Sequence, residues 1–413
     1  MAARSSTVTA EIPPVDLVSV EATRDPYAVL GDLRRRDPVH WSGRHRAWIL
    51  TRHADVQAAL TDDRLSTDNI TPLQAKMSAP EQKRFTPAAR MLGSWMLFND
   101  PPVHTALRTP VRSAFTPRSV DGLRRRLVVA VDDLLDELIA RGSGDFVELV
   151  AFPLPALAIA ELLGVPRHAH REFREWSRLL GALVVGKVSD ERAWQKAMAA
   201  AEGFNELFGE LIERYERKPA DNLISALVSS SGTGGLQRDQ LVGACTMLLF
   251  AGHETTTNLI ASGVLALLTH PDQRDLIAAQ PSVIDTAVEE MVRYDGPAKI
   301  VVRRVRSDHD LDGHALRAGQ PVFIALAAAN RDPDVFDDPE SFDVRRDPNR
   351  HLGFGWGQHF CLGAHLARVE TAVVVNRLLE RLPGMQLGCS AAALEWQANI
   401  VGRSLKSLPV AVA

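Results

Sequence analysis

A mainly α protein is the fold class this sequence predicts, on three observations. Apolar residues recur at helical spacing from Val111 to Gln280. Between Gln240 and Thr269 the chain is apolar on nearly every side, as a helix buried in the middle of a protein must be. Strand-like runs, by contrast, are few and short.

Residues 1–24, Pro13-Pro14 included, read as a flexible tail. Pro26 to Arg36 has the pattern of a short amphipathic helix. Val39–Trp41 and Ala47–Thr51 are two strands joined by a polar turn, the pattern of a hairpin. From Ser66 to Trp95 irregular structure is expected, because Pro72, Pro80 and Pro87 break any long helix. A loop of that length is usually functional or mobile. Gly142-Ser143-Gly144, Pro166, Pro219 and the run Ser229–Gly235 interrupt the helical region. The last of these is a solvent loop, since no Lys-Ser/Thr follows to cradle a phosphate. Pro271 ends the long helix, which at 1.5 Å per residue runs about 45 Å. Past Arg303, a strand at Gln320–Ala325 precedes a Pro- and Asp-rich meander from Asn330 to His351.

Length alone, 413 residues, suggests two or three domains. Hydrophobic residues at 46% and charged residues at 24% are ordinary for a soluble globular protein. A net charge of −4 offers no case for nucleic-acid binding. The runs Arg34–Arg36 and Arg124–Arg126 read as solvated helix faces. Cys245, Cys361 and Cys389 are widely separated, which argues against a disulfide framework and fits a reducing cytosol. Met1–Leu17 has no signal-peptide core. The apolar stretch Leu241–Gly252 falls short of the ~20 residues that span a bilayer. A soluble cytoplasmic protein with no membrane partner is expected.

Cys361 sits in Phe354-Gly355-Trp356-Gly357-Gln358-His359-Phe360-Cys361-Leu362-Gly363, a turn made permissive by glycines, just before helix-forming Ala364–Glu370. Unpaired N–H groups and the dipole at a helix N-terminus stabilise a thiolate. Such a thiolate ligates borderline metals, haem iron among them. In the long apolar helix, Glu254 and Thr255 are polar where the pattern wants apolar residues. A buried carboxylate there costs several kcal/mol unless it is paired or protonated. An acid beside an alcohol is equipped to relay protons. His253-Glu254 also begins a His-Glu-x-x-His zinc pattern, but Thr257 stands in place of the second histidine. A zinc hydrolase, with His351, His359, Cys361 and His365 as other imaginable ligands, is therefore the rival reading from another class.

The loop Phe354–Gly363 resembles the haem-binding loop of the cytochrome P450 monooxygenases. Three other segments resemble that family in its order and spacing. Glu290-Met291-Val292-Arg293 is similar to its Glu-x-x-Arg, and Ala251–Thr256 to its oxygen-handling helix segment. Asp100-Pro101-Pro102-Val103-His104, with Arg108, is similar to its first propionate clamp. The resemblance covers about Asp25 to Pro409. Against the two or three domains that length suggests, it implies that residues 25–413 are a single domain with the cytochrome P450 fold, a large helical domain around a long central helix with a smaller β-rich lobe.

The same resemblance implies a haem b cofactor with Cys361 as axial iron ligand, Phe354 shielding the sulfur and Gly363 letting the helix approach the porphyrin. Its propionate partners are His104, Arg108, Arg303 and His359; an ordinary surface arginine is the alternative for Arg303. Glu254 and Thr255 handle protons for O2 cleavage, and the small Ala251 and Gly252 leave room for O2. Glu290, Arg293 and Arg346 form a structural knot. The pocket lining by resemblance is Met91, Trp95, Met96, Met247, Phe250, Lys299, Val301, Ile400 and Val401. Lys299 either anchors a substrate or snorkels to water. Trp356, at a position usually smaller or polar, faces an electron donor or packs on the meander.

The implied activity is haem-thiolate monooxygenation, hydroxylation or epoxidation of an apolar small molecule in polyketide or terpenoid biosynthesis. Oxidative coupling is the alternative. Electrons from NAD(P)H arrive through a separate ferredoxin and ferredoxin reductase, since the chain has no flavin or iron–sulfur segment. A monomer is expected. A haem carrier without turnover is disfavoured by Glu254-Thr255, which a carrier does not need.

Overall fold

The computed structural model describes residues 15–184, 190–230 and 235–412. Most of the expected solvent loop at 229–235, and the tail before Val15, lie outside the described residues.

The folded body begins earlier than the expected boundary at residue 25. Val15 and Leu17 are buried, and helix α1 (Val20–Arg24) opens with the Ser19 hydroxyl accepting from the Ala22 N–H. Short apolar residues at 15, 17 and 22 were too sparse to register as a period, yet each finds a buried place. Helix α2 (Pro26–Arg36) follows at once, capped by the Asp25 carboxylate, with Pro26 in the first turn where its missing N–H costs nothing.

The expected hairpin is present as β1 (Val39–Ser42) and β2 (Ala47–Leu50), paired antiparallel. Three more strands, β3 (Leu65–Ser66), β4 (Val301–Val305) and β5 (Pro321–Ile324), complete a sheet ordered β1-β2-β5-β4-β3. Trp48 pairs in parallel with Val322, and Arg303 pairs antiparallel with the same Val322. The sheet thus joins the start of the chain to its last third and carries Arg303 in the middle of β4, beside the central strand.

The stretch from Ser66 to Trp95 is not irregular. Helix α3 (Ala79–Gly93) occupies fifteen of its residues. Pro80 lies in the first turn, where Ser78 and Glu81 form a capping box, so it starts the helix rather than stopping it. Pro87 falls inside the helix range, yet Phe85, Ala88, Met91 and Leu92 make one buried face at helical spacing. Tertiary burial of that face overrides the proline penalty.

Helix α4 (Val103–Ala114) follows the cis peptide Pro101-Pro102. The central helix, α5, spans 32 residues from Arg238 to Thr269 and ends, as expected, before Pro271, which begins a further helix. Twenty of its residues are buried, in contact with helices on all sides, which is why its apolar residues show no single face. Helices α6 (Ile284–Asp295) and α7 (Ala364–Arg381) pack on it and on each other. The large core cluster runs from Phe85 through Leu241–Leu249 to Val373 and Val374. No described helix is long and apolar enough to cross a membrane.

Candidate active site around Cys361

The cysteine loop is a backbone device. Gly355 and Gly357 have φ of +73° and +71°, a region only glycine enters cheaply, and a Cβ on Gly357 would lie 2.6 Å from the Thr61 side chain. The Cys361 N–H donates to the Phe354 carbonyl at 2.8 Å, closing the loop, and α7 starts three residues later. Cys361 is open by surface area. It nonetheless sits deep among protein atoms, and burial is the largest influence on its thiol, raising its pKa. The Gly363 N–H, Arg108 and Arg368 pull the other way. At the sulfur, desolvation thus outweighs the N–H group and the two cations.

Beside the sulfur, four of the expected residues come together. The rings of His104 and His359 lie 4.1 Å apart, and the Arg108 guanidinium donates to the Phe360 carbonyl at 2.6 Å. Both ring nitrogens of buried His104, and Nε2 of His359, have no hydrogen-bond partner. Arg303 is 8% exposed and bonds only to its neighbour's carbonyl, so it is not a surface arginine. Strand alternation puts Val301 on the same face as Arg303, while Arg306 turns to Asp100. His359 is pushed down to about 3, by burial first and then by Arg303, His104 and Arg108. Burial likewise lowers Arg303 to about 10, with Asp100 opposing. The carboxylate acting on this group, Asp100, is already bonded to Ser66, Thr67 and Arg306, so the gathered cationic and basic side chains still call for anions.

On α5, Phe250, Ala251, Glu254, Thr255 and Asn258 form the one stripe that is not buried in the middle of the helix. Glu254 was expected to be a buried carboxylate and is instead exposed. Asn258 was missed, although its place four residues after Glu254 put it on that stripe. The Thr255 hydroxyl donates to the Ala251 carbonyl at 2.5 Å. Gly252 faces elsewhere: a Cβ there would make ordinary contact with Ile159 at 3.6 Å, so it does not create the expected room on the stripe. His253 points away as well, bonded to the Phe152 carbonyl at 3.0 Å and lying 4.4 Å from the Phe152 ring. No group of three metal-ligating side chains occurs among the described residues.

The knot expected from Glu290, Arg293 and Arg346 is assembled. Arg293 forks onto Glu290 at 2.7 Å through both Nε and Nη2, both side chains being wholly buried, and Arg346 adds a bond at 3.2 Å. Asn349 and the Asp343 N–H complete it, partners that sequence reading had no local signal to find.

The lining candidates divide. Trp95 is fully buried with its indole N–H on the Thr246 hydroxyl at 3.0 Å, and Met91, Met96 and Met247 lie with it in the large core cluster. These four are core residues rather than open lining. Phe250 lies half-buried, 5.0 Å from the Trp95 ring. Lys299 donates its backbone N–H to Val401 at 2.8 Å, which joins it to the Ile400-Val401 segment. Its side chain is 4% exposed, so it does not snorkel. Trp356 is exposed and does not bury itself on the meander.

Comparison with known proteins agrees with this arrangement. Residues 170–383 match the family described as Cytochrome P450. The chain is 40% identical to the cytochrome P450 monooxygenase PikC of Streptomyces venezuelae, over 97% of this chain and 95% of that one. It is 38% identical to 6-deoxyerythronolide B hydroxylase of Saccharopolyspora erythraea, over 93% and 94%. Among solved structures, CalO2 superposes with a TM-score of 0.90 at 34% identity, covering 97% of this chain and 99% of that one. A chain with this fold, this cysteine loop and these relatives belongs to the cytochrome P450 family and is a P450 monooxygenase, dependent on haem, O2 and a redox partner.

Proposed function

We propose that Cys361 would ligate the iron of a haem b, with His104, Arg108, Arg303 and His359 holding its propionates. The enzyme then hydroxylates or epoxidises an apolar small molecule of secondary metabolism. One observation carries this reading: two unpartnered imidazoles and two desolvated guanidiniums gather beside an open cysteine sulfur. Two carboxylates satisfy that set as no residue of the chain does, Arg108 and Arg303 by forked pairing and the imidazoles by donated N–H. A Cβ on Gly363 would meet nothing within 4 Å, so the protein's own packing leaves that side clear.

Bound haem supplies oxygen activation and the transfer of one oxygen atom to a C–H or C=C bond. The chain does the rest. The Gly363 N–H bonds to the Cys361 sulfur and tempers its electron donation. Phe354, tied by its carbonyl to the Cys361 N–H, covers the sulfur's flank. Glu254 and Thr255, adjacent on the same stripe, form the acid–alcohol pair that relays protons. The Thr255 hydroxyl, parked on the Ala251 carbonyl, keeps its oxygen lone pairs available to accept. Phe250, Val301, Ile400 and Val401 bind and orient the substrate, and Lys299 borders it.

The 35% identical polyketide biosynthesis cytochrome P450 PksS of Bacillus subtilis supports a substrate of polyketide size. A ferredoxin, reduced by an NAD(P)H-dependent reductase, brings electrons to the cytoplasmic monomer. It docks where Trp356 and Phe360 stand exposed on the cysteine loop. The test is optical: the reduced protein under carbon monoxide should absorb at about 450 nm. A purified chain that binds no haem would end the proposal.

A further inference from the structure

Under the cysteine loop lies a charge network that the reaction above does not use. Arg368 on α7 donates to both oxygens of Glu289 on α6, at 2.5 and 2.9 Å. The same carboxylate takes a bond from His351 Nε2 at 2.9 Å. His351 Nδ1 accepts from the Gly353 N–H at 3.2 Å, which leaves Nε2 as the nitrogen that donates to Glu289. Phe354 contacts both: the Arg368 guanidinium carbon lies 4.5 Å from its ring centre and the His351 ring 5.8 Å away. Three distant segments are thus tied together directly behind the residue whose carbonyl receives the Cys361 N–H.

The network has one cation and one anion. Arg368 acts on the sulfur through space, favouring its anionic form, and Glu289 is the carboxylate paired to Arg368. Glu290, one residue later, faces the separate buried knot with Arg293 and Arg346, and Arg108 acts on the sulfur from the other side.

We infer that Glu289 is a positioning and charge-balancing residue. It masks the Arg368 charge and clamps Phe354, and so sets how strongly the Cys361 sulfur donates electrons. This rests on Cys361 being the iron ligand. With Glu289 neutralised, Arg368 is unmasked and withdraws electron density from the sulfur; with Arg368 neutralised, Glu289 is unmasked and pushes density toward it. The two changes therefore act in opposite senses, which a purely structural clamp cannot do.

The experiment measures the midpoint potential of the purified holoprotein and three variants. Glu289→Gln should favour the reduced state, raising its equilibrium constant about tenfold, and Arg368→Gln should lower it about tenfold. Arg368→Lys keeps the charge and should stay within about twofold of the parent, whatever it loses in stability. Shifts of the same sign in the two glutamine variants, no shift in either, or a lysine variant as displaced as Arg368→Gln would overturn the inference. A parent protein lacking the band at about 450 nm would instead refute the ligand assignment itself.

Discussion

At the scale of single residues, Cys361 is shaped by the backbone around it: one N–H into the Phe354 carbonyl, another arriving from Gly363. Cys361→Ser should therefore fold and keep the propionate cluster, but its reduced carbonyl band at about 450 nm should vanish, as a spectrum will read. Thr255→Ala should cut product formed per NAD(P)H oxidised by about tenfold while electron uptake continues, because proton delivery and not reduction is impaired. Glu370 is a different case. It is buried on α7 with one carboxyl oxygen unpartnered, and burial pushes its pKa well above the ordinary 4.5. The folded chain then holds a proton that the unfolded chain releases, so stability falls as pH rises past that ordinary value. Glu370→Gln removes this loss. Its Tm relative to the parent should climb between about pH 5 and about pH 8, measured by thermal denaturation of the holoprotein.

Elements show where the sequence was readable. The central helix, the hairpin and the cysteine loop each carry their signal within a short window: an apolar run, an alternation, a set of glycines beside one cysteine. Helix α3 was hidden because a proline in a first turn reads the same as a proline that breaks a helix until the capping pair Ser78–Glu81 is seen in place. The network of Glu289, His351 and Arg368 was not legible at all, since three segments separated by 62 and 79 positions meet only in the fold. Glu254 was misjudged for a related reason: apolar neighbours in sequence suggest burial, but they occupy the other sides of α5. The buried knot tests the element scale directly. Glu290→Gln leaves Arg293 and Arg346 short of their counter-charge, and unfolding should show a loss of about 3–5 kcal/mol.

For the molecule as a whole, acid is the informative perturbation. Burial works to raise the Glu289 carboxyl, but hydrogen bonds from Arg368 and His351 outweigh it and hold it at about 2, below the ordinary 4.5. Its contribution is complete above the ordinary value and is lost as pH falls through the folded one. The stability gap between parent and Glu289→Gln should thus be flat near neutrality and close as pH drops from about 4 toward about 2, followed by circular dichroism. The sheet has a temporal consequence. β2 takes its inner partner from residues 322–324, so the hairpin leaves the ribosome long before that neighbour has been made. Until then its edge is a bare template for other nascent chains, and α/β closure, with Arg303 riding on it, must wait for translation to reach the last quarter of the message. Ribosome-stalled fragments ending before Pro321 should accordingly need chaperone shielding that longer ones do not.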